Sequence, residues 1–537
     1  MTAEEVGQRG PSVADLLRYW VEKRPDSRFL LFGGRSLSYS DVARQSRALA
    51  VALHHLGVEP GDRVALDLPN WPEFVISALA AAELGAVIVP LSPAYAPREL
   101  QFMLRHSEAS VAITAERYEG VDYLELFESL LVELPDLQYL VTVGKEDLWY
   151  DDRIFQFEDL VSSGMGREFR PQPLASLDEL FSILYTSGTT GKPKGVMLSH
   201  RNLVRTAAAT AAALELSPSD VTLCSVPLSH IFGLTAALLT GLVSGGGVVL
   251  QERFEPRGAL DLVERHGVTV YHGVPTMFVM QLREPGLAKR DLDSIRTGIV
   301  AGAPVSPELV DRARRELVPQ LEIAYGLTET SPTVSITRPE DPAPARSESV
   351  GRVLDEIEVE IRSEEGEPVP TGSVGELVVR GFNVMLGYFR QPSETAAAFT
   401  EDGFLRTGDL ATLDAEGYLH IVGRMSDVII RGGYNVHPKE VEDHLRSHPA
   451  VLDVVVVGVP NEVLGELVCA CVRLVEGALI TEDELREYCG HALSDYKVPD
   501  LVRRTEVFPM TPNGKVRRRE LARLVRTQEA ASRHTSP

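Results

Sequence analysis

Between residues 63 and 114 the chain alternates two patterns, and that alternation restricts its fold more than any other feature. Residues 63–68 (Arg-Val-Ala-Leu-Asp-Leu) read as a strand, 73–84 as an alanine-rich buried helix, 86–90 as a second strand, 99–106 as a helix and 110–114 as a third strand. A strand that returns through a helix pairs in parallel with its predecessor, so the segment predicts parallel α/β layers. Around 150–180 the pattern loosens, which predicts a boundary inside a large lobe. From about 350 it changes again. Residues 358–362, 375–380 and 417–422 are β-rich runs between turn residues, as in a small barrel or meander. After Gly423 follow a helix at 438–447, strands at 451–457 and 468–475 and a helix at 482–493; the last dozen residues are polar and are expected to fray.

Lysine plus arginine number 53 and aspartate plus glutamate 77, a formal net charge of −24. A surface this acidic repels phosphate backbones, which argues against nucleic acid as a partner; any nucleotide needs a local site. The four cysteines, Cys224, Cys469, Cys471 and Cys489, form no CxxC pair and read as core residues of a reducing compartment. The N-terminal MTAEEVGQRG is acidic and lacks an apolar core, unlike a signal peptide. The best candidate for a membrane span, 231–250, contains Gly233, Gly241 and Gly245-Gly246-Gly247 and reads instead as a buried helix, a glycine turn and a strand. The expectation is a cytoplasmic protein without a transmembrane segment.

The strongest local motif is Tyr185-Thr-Ser-Gly-Thr-Thr-Gly-Lys-Pro-Lys-Gly195, after an apolar strand at 180–184 and before a helix starting near Asn202. Its glycines let backbone amides converge on an anion, its hydroxyls add donors, and Lys192 and Lys194 add charge. Such a loop suits a polyphosphate. It does not match GxxxxGK[ST], because Pro193 follows Lys192. A bland surface turn rarely carries four hydroxyls, three glycines and two lysines in ten residues.

This segment resembles the phosphate-binding signature of the adenylate-forming superfamily, which includes acyl-CoA synthetases, nonribosomal adenylation domains and firefly-type luciferases. The resemblance runs from about 36 to 523, since further family motifs follow in the family's order, and it points to the acyl-CoA synthetase, or fatty-acid–CoA ligase, branch. It implies an α/β fold: a large N-terminal lobe (1–423) of parallel α/β layers plus a small β-barrel at about 350–423, a hinge at 424–426, and a mobile, compact α+β C-terminal domain (427–537).

The resemblance also implies roles for particular residues. Thr186, Ser187, Gly188, Thr189, Thr190, Gly191, Lys192 and Lys194 would hold the phosphates of ATP. Gly302, Ala303 and Pro304, in Ala301-Gly-Ala-Pro304, would border the adenine. In Tyr325-Gly-Leu-Thr-Glu-Thr330, the Tyr325 ring would lie against the base beside Gly326, the Thr328 hydroxyl on the α-phosphate and Glu329 on Mg2+. Asp409, in Arg406-Thr-Gly-Asp-Leu410, would accept the ribose hydroxyls, with Arg424 near the ribose or α-phosphate. Lys515, in Pro512-Asn-Gly-Lys-Val-Arg517, would bridge carboxylate and α-phosphate as charge develops. The arginines 517–519 read as a solvated basic tail.

For the acceptor, Ser426–Glu440 resembles the loop that enters acyl-CoA synthetase sites for the thioester step. Gly432 and Gly433, followed by Tyr434, would let the pantetheine arm of coenzyme A pass close to the backbone, and the same glycines also suit a hairpin turn. Lys515 and this loop serve different half-reactions from one domain, which implies a rotation about Ser426. Relatives commonly carry Asp or Lys there, and Asp427 is the neighbouring candidate for that charge.

Pro227-Leu-Ser-His230-Ile-Phe-Gly233 resembles the acyl-pocket motif, with His230 near the acyl carboxyl end; a core histidine is the alternative reading. No Asp lies between Val221 and Leu250, which disfavours an amino-acid substrate. Leu234, Val274, Ala301 and Ala324 are the expected walls, small or apolar, and suit a medium- or long-chain fatty acid or another hydrophobic acid. Arg283 could hold a second carboxylate, but nothing in the sequence ties it to the pocket. The reading is an AMP-forming acid–thiol ligase using a carboxylic acid, ATP, Mg2+ and coenzyme A, as a monomer or homodimer with at most peripheral membrane contact. The alternatives are an aryl-CoA ligase, a free-standing adenylation enzyme serving a carrier protein, a luciferase-like oxygenase and an inactive scaffold.

Overall fold

A computed structural model describes residues 11–146, 148, 151–167, 174, 176–186, 193–461, 463–510 and 516–534. Its contacts form two compact units: residues up to 358 with 379–405, and 359–378 with 406 onward.

The elements expected between 63 and 114 all form: Arg63–Asp67, Pro72–Leu84, Val87–Leu91, Pro97–Ser107 and Ala109–Ala115. They belong to an eight-stranded sheet in which Leu180–Thr186, Val87–Leu91, Arg63–Asp67, Ala109–Ala115, Tyr139–Val143 and Ile154–Gln156 run parallel. Lys194–Ser199 and Gly387–Tyr388 add an antiparallel edge. A second, nine-stranded sheet has six neighbouring parallel strands, Arg28–Phe32, Gly247–Leu250, Val221–Cys224, Val270–Tyr271, Thr297–Val300 and Gln320–Tyr325. Helix Pro72–Leu84 opens on a proline, ends on Gly85 in the left-handed region and is buried on every side. Its Val75, Ala78 and Leu79 line a small apolar void together with Phe29 of the nine-stranded sheet and Phe181 of the eight-stranded one. Two of its charges are buried as well, and each has an arginine: Glu73 pairs with Arg35 at 2.7 Å and Glu83 with Arg18 at 3.5 Å.

The order of strands sets where a ligand can enter. From Val221–Cys224 the chain passes to Gly247–Leu250 on one side, then crosses back to Val270–Tyr271 on the other. Connections leaving Val221–Cys224 and Val270–Tyr271 therefore diverge, and open α/β sheets bind ligands in the crevice at the carboxyl ends of such strands.

Segment 231–250 is the expected buried helix, turn and strand, with one refinement. Its first part, Phe232–Leu239, is a π-helix, continuing as Thr240–Ser244 before Gly245 and the strand Gly247–Leu250. π-Helical segments are rare and frequent at functional sites. Among the described residues no helix is long and apolar enough to cross a membrane.

The β-rich run expected from 350 takes the form of a meander. Ile357–Arg362, Gly375–Gly381, Leu405–Leu413 and Leu419–Arg424 are neighbours in that order. A five-stranded sheet follows, in which Val451–Asn461 and Gly465–Leu474 pair antiparallel and Leu501–Arg504, not anticipated from the sequence, adds in parallel. The C-terminus departs from expectation. The helix Arg518–His534 runs through residues 526–534 of the stretch expected to fray. Leu521 and Val525, four apart, bury one face against Val455, Val457, Cys469, Cys471 and Phe508. Two apolar residues in a strongly polar stretch hide that face from a reading by composition.

Candidate active site

Four of the motifs singled out in the sequence leave the carboxyl ends of four adjacent parallel strands. After Val221–Cys224 comes the turn to His230, after Val270–Tyr271 the segment His272–Val274, after Thr297–Val300 the segment Ala301–Pro304, and after Gln320–Tyr325 the turn Thr328–Thr330. Motifs up to 100 residues apart thus share one rim by topology alone, and the first two flank the crevice where the strand order reverses.

His230 is part-exposed, and its Nδ1 accepts the Phe232 N–H at 3.2 Å, so in the neutral ring Nε2 carries the hydrogen. His272 is buried; its Nδ1 accepts the Ile299 N–H at 3.1 Å, and burial lowers its pKa to about 4, which keeps it neutral. Val274 touches Gly302, and the Ala301 N–H donates to the Gly273 carbonyl at 3.3 Å, which joins the second and third motifs. Ala303 and Pro304 are exposed beside them, while Ala301 and Ala324 are part-buried. Leu234 lies deeper: it lines a small enclosed apolar void with Val13, Phe29 and Val75. Arg283 is exposed just beyond the helix Pro275–Gln281.

The turn Thr328–Thr330 is tightly held. A side chain on Gly326 would sit 1.4 Å from the Pro332 carbonyl oxygen, so only glycine fits. Thr330 Oγ1 accepts the Leu327 N–H at 2.8 Å. Glu329 accepts the Tyr388 hydroxyl at 3.0 Å on Oε1, and its carbonyl accepts the Met385 N–H at 2.9 Å. Tyr325 and Thr328 are part-buried at this rim.

The glycine-threonine loop is a connection within a hairpin. Leu180–Thr186 and Lys194–Ser199 pair antiparallel, with Thr186 opposite Lys194 at the base. A strand therefore follows the loop, and the helix expected near Asn202 forms after it as His200–Ala213. Ser187, Gly188, Thr189, Thr190, Gly191 and Lys192 lie outside the described residues, as does Lys515. Below the loop, the Tyr185 hydroxyl donates to the Met103 carbonyl at 3.2 Å and lies 2.8 Å from His106 Nδ1. Lys194 Nζ sits 4.7 Å from the centre of the Tyr388 ring.

Tyr388 is the residue that the sequence reading missed. It joins two motifs, and no local pattern marks it, because its partner Glu329 is 59 residues away. The segment around it is stitched to both neighbours. Leu386 and Phe389 donate backbone hydrogen bonds to Met197 and Gly195, and Asn202 Nδ2 donates to the carbonyls of Phe382 and Val384 at 2.7 and 2.9 Å.

The remaining expected residues belong to the second unit. Asp409 is nearly buried and faces Arg424 across paired strands, with Nε to Oδ1 at 2.9 Å. Its N–H donates to Thr407 Oγ1 at 3.0 Å. Ser426 is exposed in the short turn Met425–Asp427, and its hydroxyl donates to Asp427 at 3.2 Å. Gly432 and Gly433 form a two-residue hairpin turn with φ of +59° and +85°, the geometry that favours glycine at both positions. Tyr434 follows, half-exposed and stacked on Tyr496 with ring centres 4.8 Å apart.

The arginines after Lys515 are not uniformly solvated, contrary to expectation. Arg518 Nη1 donates to Glu442 Oε1 at 2.6 Å and to the Val456 carbonyl at 2.7 Å, and Nε lies 3.4 Å from Asp427 Oδ2. Burial alone would lower its pKa; the Glu442 and Asp427 carboxylates outweigh it and raise the pKa. Arg517 pairs with exposed Glu520 at 3.5 Å, as a solvated residue does.

Comparison with known proteins adds an independent line. The family model for AMP-binding enzyme matches residues 17–389, and that for the AMP-binding enzyme C-terminal domain matches 440–515. YngI of Bacillus subtilis (strain 168), which carries an acyl-CoA synthetase assignment, is 36% identical over 95% of this chain and 96% of its own length. The mitochondrial medium-chain acyl-CoA ligase ACSF2 of Danio rerio is 33% identical over 95% of this chain and 88% of its own. The anthranilate CoA ligase AuaEII, solved with anthranoyl-AMP, superposes with a TM-score of 0.89 at 26% identity, covering 99% of this chain and 100% of that one. ATP-bound MatB from Rhodopseudomonas palustris gives 0.87 at 29% identity, covering 96% and 99%.

Proposed function

We infer the reaction from one premise: this chain belongs to the family of AMP-binding enzymes. It is an AMP-forming acid–thiol ligase of the acyl-CoA synthetase kind, using a carboxylic acid, ATP with Mg2+, and coenzyme A. The finer reading is a hydrophobic acid, and among these a medium- or long-chain fatty acid. Its carboxylate attacks the α-phosphorus and pyrophosphate leaves; the thiol of coenzyme A then attacks the acyl carbon and AMP leaves.

The observation that carries this reading is the gathering of four motifs on one rim of parallel strands, beside the hairpin that bears the glycine-threonine loop. On this reading Tyr325, Gly326 and Gly302 to Pro304 receive the adenine, Thr186, Lys194 and the loop between them receive the phosphates, and Asp409 and Arg424 receive the ribose. Thr328 donates to the α-phosphate. Glu329 fits a magnesium ligand: Tyr388 occupies Oε1, while Oε2 carries no hydrogen bond among the described residues. No cluster of three or more His, Cys, Asp or Glu among the described residues is placed to hold an ion alone, so Glu329 would supply one hard ligand to an ion carried mainly by phosphate oxygens. When bound, Mg2+ neutralises phosphate charge.

On this reading His230, Val274, Ala301, Ala324 and Leu234 receive the acyl group. The relatives named for medium-chain acids favour an aliphatic chain, whereas the anthranilate ligase favours an aryl acid as the second reading. Lys515 serves adenylation, and the turn Gly432–Gly433 with Tyr434 serves thioester formation, exchanged by rotation about Ser426. Four buried cysteines outside any disulfide favour a cytoplasmic location. Lys515→Ala supplied with synthetic acyl-adenylate separates the half-reactions: it should still make acyl-CoA while failing to make adenylate. Loss of both steps would contradict a role for Lys515 confined to adenylation.

A further inference from the structure

Tyr388 stands between two segments that the proposed reading gives to the same phosphates. Its strand, Gly387–Tyr388, pairs with Lys194–Ser199, Val196 lying opposite Tyr388, so its backbone is fixed to the hairpin that carries the glycine-threonine loop. Its own N–H donates to Thr395 Oγ1 at 2.8 Å. The side chain is 9% exposed and reaches across to Glu329, while Lys194 Nζ lies over the ring face. One residue thus touches both the carboxylate of one motif and the ammonium of the other.

The chemistry of each contact is directional. An ionised carboxylate only accepts, so the phenol hydrogen is committed to Glu329 Oε1. That bond fixes the carboxylate's rotation about its terminal torsion, which is otherwise broad, and leaves Oε2 for a hard cation. The ammonium of Lys194 is attracted to the ring's negative face, which restrains a long side chain at little cost in charge.

We propose that Tyr388 is a positioning residue for the metal–nucleotide complex: its hydroxyl sets the orientation in which Glu329 meets the magnesium ion, and its ring seats Lys194 beside the phosphates. The inference rests on the reading of Glu329 as the magnesium ligand. Partners that orient a metal-bound carboxylate typically contribute 10- to 100-fold to metal affinity. Glu329 supplies only one ligand, so the lower end of that range applies.

The test is Mn2+ binding, followed by electron paramagnetic resonance on the full-length protein with α,β-methylene-ATP, for wild type, Tyr388→Phe, Glu329→Gln and the double variant. Tyr388→Phe keeps the ring, its packing and the Lys194 contact, and removes only the donor. Its Mn2+ affinity should fall roughly tenfold, its melting midpoint without ligand should stay near that of wild type, and the double variant should bind no worse than Glu329→Gln. A purely structural role would lower the melting midpoint and leave Mn2+ affinity alone, which overturns the proposal. Wild-type Mn2+ affinity in Tyr388→Phe alongside weakened binding in Glu329→Gln overturns it as well, leaving Glu329 as ligand. Wild-type affinity in Glu329→Gln overturns the magnesium reading and this inference together. Should Tyr388→Phe melt early, Tyr388 replaced by 3-fluorotyrosine keeps the hydroxyl, and unchanged Mn2+ affinity there with a loss in Tyr388→Phe still supports the proposal; an equal loss in both overturns it.

Discussion

Arg424 Nε lies 2.9 Å from Asp409 Oδ1, across a register pair of the strands Leu405–Leu413 and Leu419–Arg424. Asp409 is nearly buried and Arg424 half-exposed, so the guanidinium orients a carboxylate whose oxygens carry lone pairs. If those lone pairs receive ribose hydroxyls, wild type should prefer ATP over 2′-deoxy-ATP by roughly 10- to 100-fold in kcat/KM, since a hydrogen bond to a charged group contributes about 1.5–3 kcal/mol. Asp409→Asn should lose most of that preference while keeping its KM for the acid. An undiminished preference in the variant would take the ribose away from Asp409.

Arg518 is tied to Glu442, whose side chain is 1% exposed. Arg518→Ala leaves that carboxylate with the Val456 N–H and with Arg446 at 3.8 Å, and should destabilise the second unit by about 3 kcal/mol. Arg518→Met with Glu442→Met should recover most of the loss. Urea unfolding followed by a probe in the second unit reads both; an unchanged midpoint in Arg518→Ala would show that Arg518 behaves as a solvated tail residue.

Asp67 ends a central strand of the eight-stranded sheet and is fully buried, and burial pushes its pKa up to about 7 from 3.8. Thr114 Oγ1 donates to Oδ2 at 3.5 Å, and Oδ1 has no partner among the described residues. With the folded pKa raised, the favourable contribution is complete below about pH 4 and disappears as pH rises through 7. Wild type should therefore lose up to about 4 kcal/mol relative to Asp67→Asn between those limits. Urea midpoints of the two proteins at pH 5 and pH 8 capture about 3 kcal/mol of that loss; midpoints that move in parallel would contradict it.

Gly432 and Gly433 both occupy the left-handed region, where a side chain costs about 1–2 kcal/mol per residue. Gly432→Ala distorts the turn while leaving the first unit untouched. Acid-dependent pyrophosphate exchange should persist near wild-type level, and acyl-CoA formation should fall at least roughly tenfold, as a 1.4 kcal/mol penalty on one step implies. An equal fall in both activities would mean that the turn does not discriminate between the half-reactions.

The parallel layers were legible because each strand and helix between 63 and 114 carries its own pattern, and Gly85 ends its helix where the sequence breaks. The motifs were legible because their chemistry is compressed into short runs. What escaped is non-local. Tyr388 acquires its meaning only by pairing with the hairpin and reaching Glu329. Arg518 sits in a run of three arginines, and only the fold distinguishes the one that meets Glu442. The strand after the glycine-threonine loop escaped because its six residues, Lys194–Ser199, are too short to separate from the helix that follows.

The central claim is acyl activation followed by transfer to coenzyme A, and a panel of acids tests it most directly. Fatty acids of graded length and substituted benzoates are each assayed with ATP and Mg2+, with and without coenzyme A, following AMP and pyrophosphate. The account predicts AMP release that depends on coenzyme A and peaks within the aliphatic series, graded because one methylene is worth only about 1–3 kcal/mol. Pyrophosphate exchange with no transfer to coenzyme A for any acid would contradict it and move the acyl acceptor to a carrier protein.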